Sequence, residues 1–214
     1  MGRVRRDLVL LAASLAVFAG CAAVAHSGRV GAAERAVFDA VNGLPDWLYR
    51  PLLFAQYLGV LAMPLLVAAG ALAFRRWRLA AALVLVVPLK LGLERVAKQL
   101  VQRQRPGSTV PHALLRDGVH PAGLGFTSGH AIITFAIAGL LAMVLPRRWA
   151  LVAFALATLN SVARVYLGAH NPLDVVGGAA IGLAIAAVLD LVLNVARDRR
   201  RVTVAERPPQ APSP

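Results

Sequence analysis

Long apolar stretches constrain the fold of this chain more than any other feature of its sequence. A transmembrane helix takes about 20 mainly apolar residues, because each residue adds about 1.5 Å along the helix axis. Of the 214 residues, 58% are hydrophobic and only 15% are charged, which excludes most soluble folds. Segments of the required length lie at 8–25, 51–74, 79–101, 127–145, 150–168 and 172–194.

The sequence therefore predicts an all-α fold, a bundle of six transmembrane helices in a single domain at residues 1–201. Between the first two spans, residues 31–49 mix apolar side chains with charged ones such as Glu34. This pattern predicts a short amphipathic helix at the membrane interface, ended by the turn at Asn42. The following proline-rich residues 202–214 are expected to form a disordered tail.

The distribution of the net charge of +13 argues against nucleic acid as a partner. Much of the basic charge lies in short runs beside the apolar segments, at 3–6, 75–78, 147–148 and 197–201. Such runs favour the cytoplasmic side of a membrane, and six spans place all four on one side. We expect a multi-pass plasma-membrane protein with both termini in the cytoplasm.

Cys21 is the single cysteine, so the sequence predicts no intramolecular disulfide. Phe18-Ala19-Gly20-Cys21 resembles the end of a lipoprotein signal, which leaves lipidation of Cys21 as an alternative. Because Phe18 matches that signal poorly and the apolar run is long enough to span, we expect the first helix to be retained.

Ionisable side chains stand at the ends of several apolar segments, where six spans place them near the outer face. His130 follows Phe126-Thr127-Ser128-Gly129, and His170 precedes Asp174 by four residues. Ionisable groups at membrane depth are costly and usually functional. The set comprises two imidazoles, one carboxylate and three cations, which suits a phosphate ester: His130, His170, Asp174, Lys98, Arg105 and Arg164.

The start of the fourth span is suited to bind an anion. Thr127 or Ser128 can cap the helix, while Gly129 permits close backbone approach. Free N–H groups and the helix dipole attract negative charge at such a terminus. Near His170, a carboxylate about one turn away can accept the Nδ1–H and leave Nε2 as a nucleophile.

These motifs resemble the signature of the type 2 phosphatidic acid phosphatase (PAP2) superfamily, a family of integral-membrane lipid phosphatases. Its pattern is Lys-x6-Arg-Pro, then Pro-Ser-Gly-His, then Ser-Arg-x5-His-x3-Asp. Two positions differ here, since Thr127 replaces a proline and Ala163 replaces a serine. The matching positions are Lys98, Arg105, Pro106, Ser128, Gly129, His130, Arg164, His170 and Asp174.

The resemblance implies a PAP2 and acid-phosphatase-like helical core and a metal-independent phosphatase without cofactors. His170 would attack phosphorus to form a phosphohistidine, with Asp174 orienting it. His130 would protonate the leaving group and then activate water. The phosphate-binding residues implied are Lys98, Arg105, Ser128, Gly129 and Arg164, with Thr127, Glu94 and Pro106 in support and no metal ligand.

The favoured substrate is a polyprenyl diphosphate in the outer leaflet. Alternatives inside the family are phosphatidic acid, phosphatidylglycerol phosphate and a polyprenyl-phosphosugar phosphate. A transporter or flippase for anionic lipids and an inactive phosphatase-like scaffold are rivals from other classes. The sequence leaves the oligomeric state open.

The remaining charges and histidines have simpler interpretations. Lys90 and Glu94 fit an ion-paired ladder with Lys98 on one helix face. Arg103 and Arg116 are read as loop charges or as contacts to an anionic head group. His26, His112 and His120 are read as packing or interface residues.

Overall fold

The computed structural model describes residues 2–120 and 122–198, and the regular structure in these ranges is helical, as predicted. Within them no strand forms, apart from an isolated bridge between Gln104 and Leu124. The end of the predicted domain at residue 201 and the predicted tail at 202–214 lie outside the described residues. The helices are α1 Arg3–Ala25, α2 Ala32–Asn42, α3 Tyr49–Gln56, α4 Met63–Ala73, α5 Trp77–Val101, α6 Pro106–Thr109, α7 Gly129–Val144, α8 Arg147–Tyr166 and α9 Pro172–Leu193.

Helix α7 lies at the centre of the bundle and packs against α5, α8 and α9. It is apolar on most of its circumference, and Ile132 and Leu140 are fully buried. Glycines on α9 allow the two backbones to approach. A Cβ on Gly178 would lie 2.5 Å from the Ser128 carbonyl oxygen, and one on Gly182 would lie 2.5 Å from that of Ile132.

Five of the predicted apolar segments form helices whose ends fall within a few residues of the predicted ones, namely α1, α5, α7, α8 and α9. Among the described residues, α1, α8 and α9 are long and apolar enough to cross a membrane, while α7 is apolar but shorter. Helix α5 has the length but carries charged side chains toward its C-terminal end. The helical membrane bundle is therefore confirmed, and the number of six crossings stays a prediction.

The segment predicted as a span at 51–74 is not one continuous helix but is broken in the middle. A short 3-10 turn at Tyr57–Gly59 follows α3, and the chain bends by 67° before α4. The break leaves backbone carbonyl groups of α3 without helical partners. Asn160 of α8 donates to the carbonyl oxygens of Ala55 and Gln56 at 3.0 Å each, so the break is satisfied inside the protein.

The amphipathic helix predicted between the first two spans is present as α2, and it ends at Asn42 as expected. Its buried face packs against α8 and α9, with Phe38 fully buried. The Asn42 side chain accepts from the Leu114 N–H at 2.8 Å and donates to the Tyr166 carbonyl at 2.9 Å. These bonds tie the end of α2 to the loop after α6 and to the end of α8. Nearer the start of α2, Glu34 accepts the Leu173 N–H of α9 at 2.9 Å.

Candidate active site

One cavity of about 610 Å³ brings together most of the residues singled out in the sequence. It lies where the C-terminal part of α5 meets the start of α7, the end of α8 and the loop before α9. Ser128 and Asp174 stand behind its wall and are fully buried. The ionisable side chains lining the cavity include Lys90, Glu94, Lys98, Arg105, His130, Arg164 and His170.

The start of α7 is built as a cap, as predicted. Ser128 is the N-cap residue, and its hydroxyl accepts from the Ala131 N–H at 3.5 Å. Its own N–H donates to the Asp174 carbonyl at 2.9 Å, which ties the starts of α7 and α9 together. A Cβ on Gly129 would lie 2.6 Å from Glu94 Oε2, so glycine is required for the approach of the α5 side chains.

His170 and Asp174 lie on either side of the turn into α9. Asp174 forms a capping box with Asn171, in which Asp174 Oδ2 accepts the Asn171 N–H at 2.8 Å. The same oxygen lies 3.7 Å from His170 Nδ1, which is too far for a hydrogen bond. The direct bond expected from the four-residue spacing is therefore not made in this structure, and that oxygen accepts the Asn171 N–H instead.

The imidazole of His170 is held in its neutral form. Its side chain is 3% exposed, and burial is the largest cause that keeps the pKa of His170 well below its usual range. The positive charges of Arg164, Arg105 and Lys98 lower that pKa further. A neutral imidazole has the free nitrogen lone pair that nucleophilic attack requires.

The cations around the cavity are held by different partners. Arg164 Nη1 donates to the neutral side-chain oxygen of Gln56 at 2.6 Å. Glu94 lies between Lys90 and Lys98, with N···O distances of 2.6 and 2.7 Å, as the ladder predicted. Arg105 precedes Pro106, the first residue of α6, and donates to the His120 carbonyl at 3.5 Å.

Three residues near the site were not found by sequence reasoning, namely Gln56, Glu34 and Arg103. Gln56 reaches Arg164 from the broken segment, which the sequence shows only as a continuous apolar run. Arg103 is fully buried and paired with Glu34, so neither a loop charge nor a head-group contact describes it. No sequence spacing connects Glu34 on α2 to Arg103. The sequence showed only that Arg103 lies two residues before Arg105 of the motif.

The two departures from the family pattern lie inside the protein. Ala163 is fully buried in an apolar cluster with Leu52, Ala55 and Tyr166 and does not line the cavity. Thr127 is also fully buried. Arg116, the other arginine left open by the sequence, stacks over the Tyr166 ring at 3.7 Å and bonds to backbone carbonyls. Arg116 therefore has a structural role and fixes the loop after α6 in place.

The part of the chain that the structure describes contains no cluster of three or more His, Cys, Asp or Glu side chains placed to hold a metal ion. The groups lining the cavity that suit an anionic ligand are two imidazoles and four cationic side chains, those of His130, His170, Lys90, Lys98, Arg105 and Arg164.

Comparisons with known proteins point to one family. The family model described as "PAP2 superfamily" matches residues 77–198. Phosphatidylglycerophosphatase B of Bacillus subtilis is 26% identical over 177 residues, covering 76% of this chain and 84% of that protein. Lipid A 4'-phosphatase of Bacteroides thetaiotaomicron is 33% identical over 50% of this chain and 52% of its own length. Undecaprenyl-diphosphatase of Sulfolobus acidocaldarius is 32% identical over 52% of this chain and 54% of its own length.

Solved structures share the fold. A transmembrane PAP2-type phosphatidylglycerolphosphate phosphatase from Bacillus subtilis superposes with a TM-score of 0.71 and 24% identity, covering 85% of this chain and 94% of that chain. LpxE of Aquifex aeolicus gives a TM-score of 0.66 and 25% identity over 73% of this chain and 93% of its own. Because the family model spans more than half of the sequence and includes all three motifs, this chain belongs to the PAP2 superfamily and is a membrane phosphatase of that family.

Proposed function

We propose that this protein hydrolyses a lipid phosphate or diphosphate through a phosphohistidine intermediate on His170. The observation that carries the proposal is the convergence of His170, His130 and the cations on one cavity. Shielded guanidinium nitrogens there have unused donors. Among the described residues, Nε of Arg105 and Nε of Arg164 have no hydrogen-bond partner, as expected where an anionic ligand supplies the acceptors.

In the first step, Nε2 of His170 attacks phosphorus, and the bond between phosphorus and the leaving oxygen breaks. His130 donates a proton to that oxygen, which leaves as the lipid alcohol or, from a diphosphate, as the lipid monophosphate. In the second step His130 removes a proton from water as the water oxygen attacks phosphorus. The P–N bond then breaks, giving inorganic phosphate and neutral His170.

The phosphate oxygens would be held by three kinds of donor. Arg164 and Arg105 supply forked N–H groups, and Lys98 supplies a compact charge. The start of α7, which Ser128 caps, supplies the backbone N–H of Gly129 together with the helix dipole, while the Ser128 N–H is held by the Asp174 carbonyl. Glu94, Thr127 and Pro106 support these groups by position: Glu94 holds Lys98, Thr127 precedes the cap and Pro106 starts α6.

For the topology, we propose six crossings in one domain, with both termini in the cytoplasm and the cavity at the outer face. The crossings are α1, the bent pair α3 and α4, α5, α7, α8 and α9. Contacts at the far end of the bundle support this arrangement. Arg6 of α1 lies 3.2 Å from Asp190 near the end of α9, so the N-terminal basic run is at the opposite end of α9 from His170.

A polyprenyl diphosphate is the substrate we favour. Four cationic side chains line the cavity, Lys90, Lys98, Arg105 and Arg164, which suits the larger negative charge of a diphosphate. One relative is an undecaprenyl-diphosphatase. Phosphatidylglycerol phosphate is the second candidate, because phosphatidylglycerophosphatase B aligns over most of both chains. Phosphatidic acid and polyprenyl-phosphosugar phosphates complete the set.

The test is phosphate release in detergent from each of these lipid phosphates, comparing wild type with His170→Ala. We expect wild type to release phosphate fastest from a polyprenyl diphosphate and His170→Ala to lose about a thousandfold or more in kcat. His26→Ala is the matched control, because His26 is exposed at the end of α1. Equal rates for wild type and His170→Ala would contradict the mechanism. Faster release from phosphatidylglycerol phosphate than from a polyprenyl diphosphate would overturn the choice of substrate.

A further inference from the structure

A buried network of three charges connects α2 to the carboxylate behind His170. Arg103 and Asp174 are fully buried, and the Glu34 side chain is only 7% exposed. An unpaired charge at such depth is strongly unfavourable, so the three groups must compensate one another. The motifs of the family do not include Glu34 or Arg103.

Arg103 lies at different distances from the two carboxylates of this network. Arg103 Nη2 donates to Glu34 Oε2 at 2.7 Å, and the Leu173 N–H donates to Glu34 Oε1 at 2.9 Å. Both oxygens of Glu34 are therefore engaged. By contrast, Arg103 Nη1 lies 3.6 Å from Asp174 Oδ1, and neither atom has a hydrogen-bond partner among the described residues.

Arg103 is thus hydrogen-bonded to Glu34 and makes only a longer ion pair with Asp174. Two carboxylates and one guanidinium leave a net charge of about −1 beside His170, whereas the cavity side of this histidine faces cations. That charge matters most when Nε2 has bound phosphorus, because the ring with its Nδ1–H then carries positive charge. A guanidinium bonded directly to Asp174 would cancel the negative charge at the place where the ring needs it.

We propose that Glu34 and Arg103 are positioning residues for the nucleophile, which act through Asp174 and keep its carboxylate in place and only partly compensated behind His170. Neither residue touches the substrate. The inference rests on the proposed role of His170 as the nucleophile.

Charge variants test this network against the other groups around His170. The groups that face it are Arg164 from α8, Lys98 and Glu94 from α5, Arg105 after α5, His130 on α7 and Asp174 on α9. All of these stay unchanged in Glu34→Gln, Arg103→Gln and the double variant. The substrate is also the same for all variants. Differences between their pH profiles therefore measure only the effect of Glu34 and Arg103.

Glu34→Gln removes a negative charge, so it should lower the pKa of His170 and move the acidic limb of kcat/KM to lower pH by about one unit. Its kcat should fall about tenfold with little change in KM, since an orienting group is lost and no substrate contact is. Arg103→Gln should move the limb to higher pH. The double variant restores the net charge, and its limb should return to the wild-type position.

Asp39→Asn is the matched control, because it removes the same charge from the exposed side of α2. Folding of every variant is checked by size exclusion and circular dichroism in detergent. Arg103→Gln alone leaves the carboxylates of Glu34 and Asp174 facing each other and can fail to fold. The proposal is therefore judged on Glu34→Gln and on the double variant. A folded Glu34→Gln with wild-type kcat and pH profile overturns the proposal, as does failure of both deciding variants to fold. If wild type itself releases no phosphate, the proposed function fails instead.

Discussion

At the scale of single residues, Arg164 is paired with Gln56, a neutral side chain, where a charged partner would be expected. Arg164 is 6% exposed, and its guanidinium donates to the amide oxygen of Gln56, where a carboxylate of nearly the same shape would also fit. A carboxylate would neutralise the guanidinium, whereas an amide fixes its orientation and leaves its charge for the phosphate. Under the proposed mechanism, the choice of glutamine therefore serves ligand binding more than stability.

Gln56→Glu should lower kcat/KM by about tenfold or more, because the new carboxylate competes with the phosphate for Arg164. The protein should remain folded, since the substitution preserves shape and adds an ion pair. Activity is measured with the favoured lipid phosphate, and thermal unfolding is followed in the same detergent. Gln99→Glu, the same change at an exposed position of α5, is the control. Wild-type kcat/KM for Gln56→Glu would show that Arg164 does not bind the substrate.

The sequence could identify the motif residues because their spacing relative to helix ends places them at one level of the bundle. Ser128 as the cap and the ladder of Glu94 with Lys98 were predicted for this reason. Gln56 and Glu34 could not be found in the same way. Each reaches the site through packing between distant segments, and local spacing carries no information about that packing.

At the scale of elements, the broken segment between α3 and α4 shapes one side of the cavity. Its apolar composition resembles that of an ordinary span, and the break is stabilised by Asn160 from a different helix. Sequence periodicity therefore predicted the segment and missed the bend. The break also brings Gly59 against the side chain of His130.

Gly59→Ala should displace His130, because the added Cβ would lie 2.7 Å from the Cβ of His130. A displacement of about 1 Å in a proton donor can reduce turnover about a hundredfold, so kcat should fall more than KM changes. Gly70→Ala on α4 is the control, since a Cβ there meets nothing within 4 Å. Steady-state kinetics on both folded variants make the comparison, and equal kcat values would show that the position of His130 is not limiting.

At the scale of the whole molecule, the bundle separates its basic end from its cavity. The start of α5 bonds to the chain after α9, where Asp198 accepts the Leu79 N–H at 3.2 Å. The cavity lies instead at the ends of α5 and α8 and the starts of α7 and α9. Composition and charge predicted the class of fold well, because burial in lipid imposes helices and basic runs mark one side.

Cysteine labelling in intact cells tests the orientation. In a Cys21→Ala background, Ser108→Cys on α6 should react with a membrane-impermeant maleimide from outside, because Ser108 is exposed near the cavity end. Arg148→Cys, exposed in the first turn of α8, should react only after lysis. Labelling of Arg148→Cys in intact cells together with protection of Ser108→Cys would place the cavity on the cytoplasmic side.

The capping box at the start of α9 has a consequence for how this enzyme can change over evolutionary time. Asp174 helps to begin a central helix, so its loss would weaken the fold by about 1 kcal/mol as well as the chemistry. His170 Nδ1 makes no hydrogen bond within the described residues, so its exchange would remove turnover and disturb the fold less. In a descendant without catalytic activity, we therefore expect Asp174 to be retained and His170 to be substituted first.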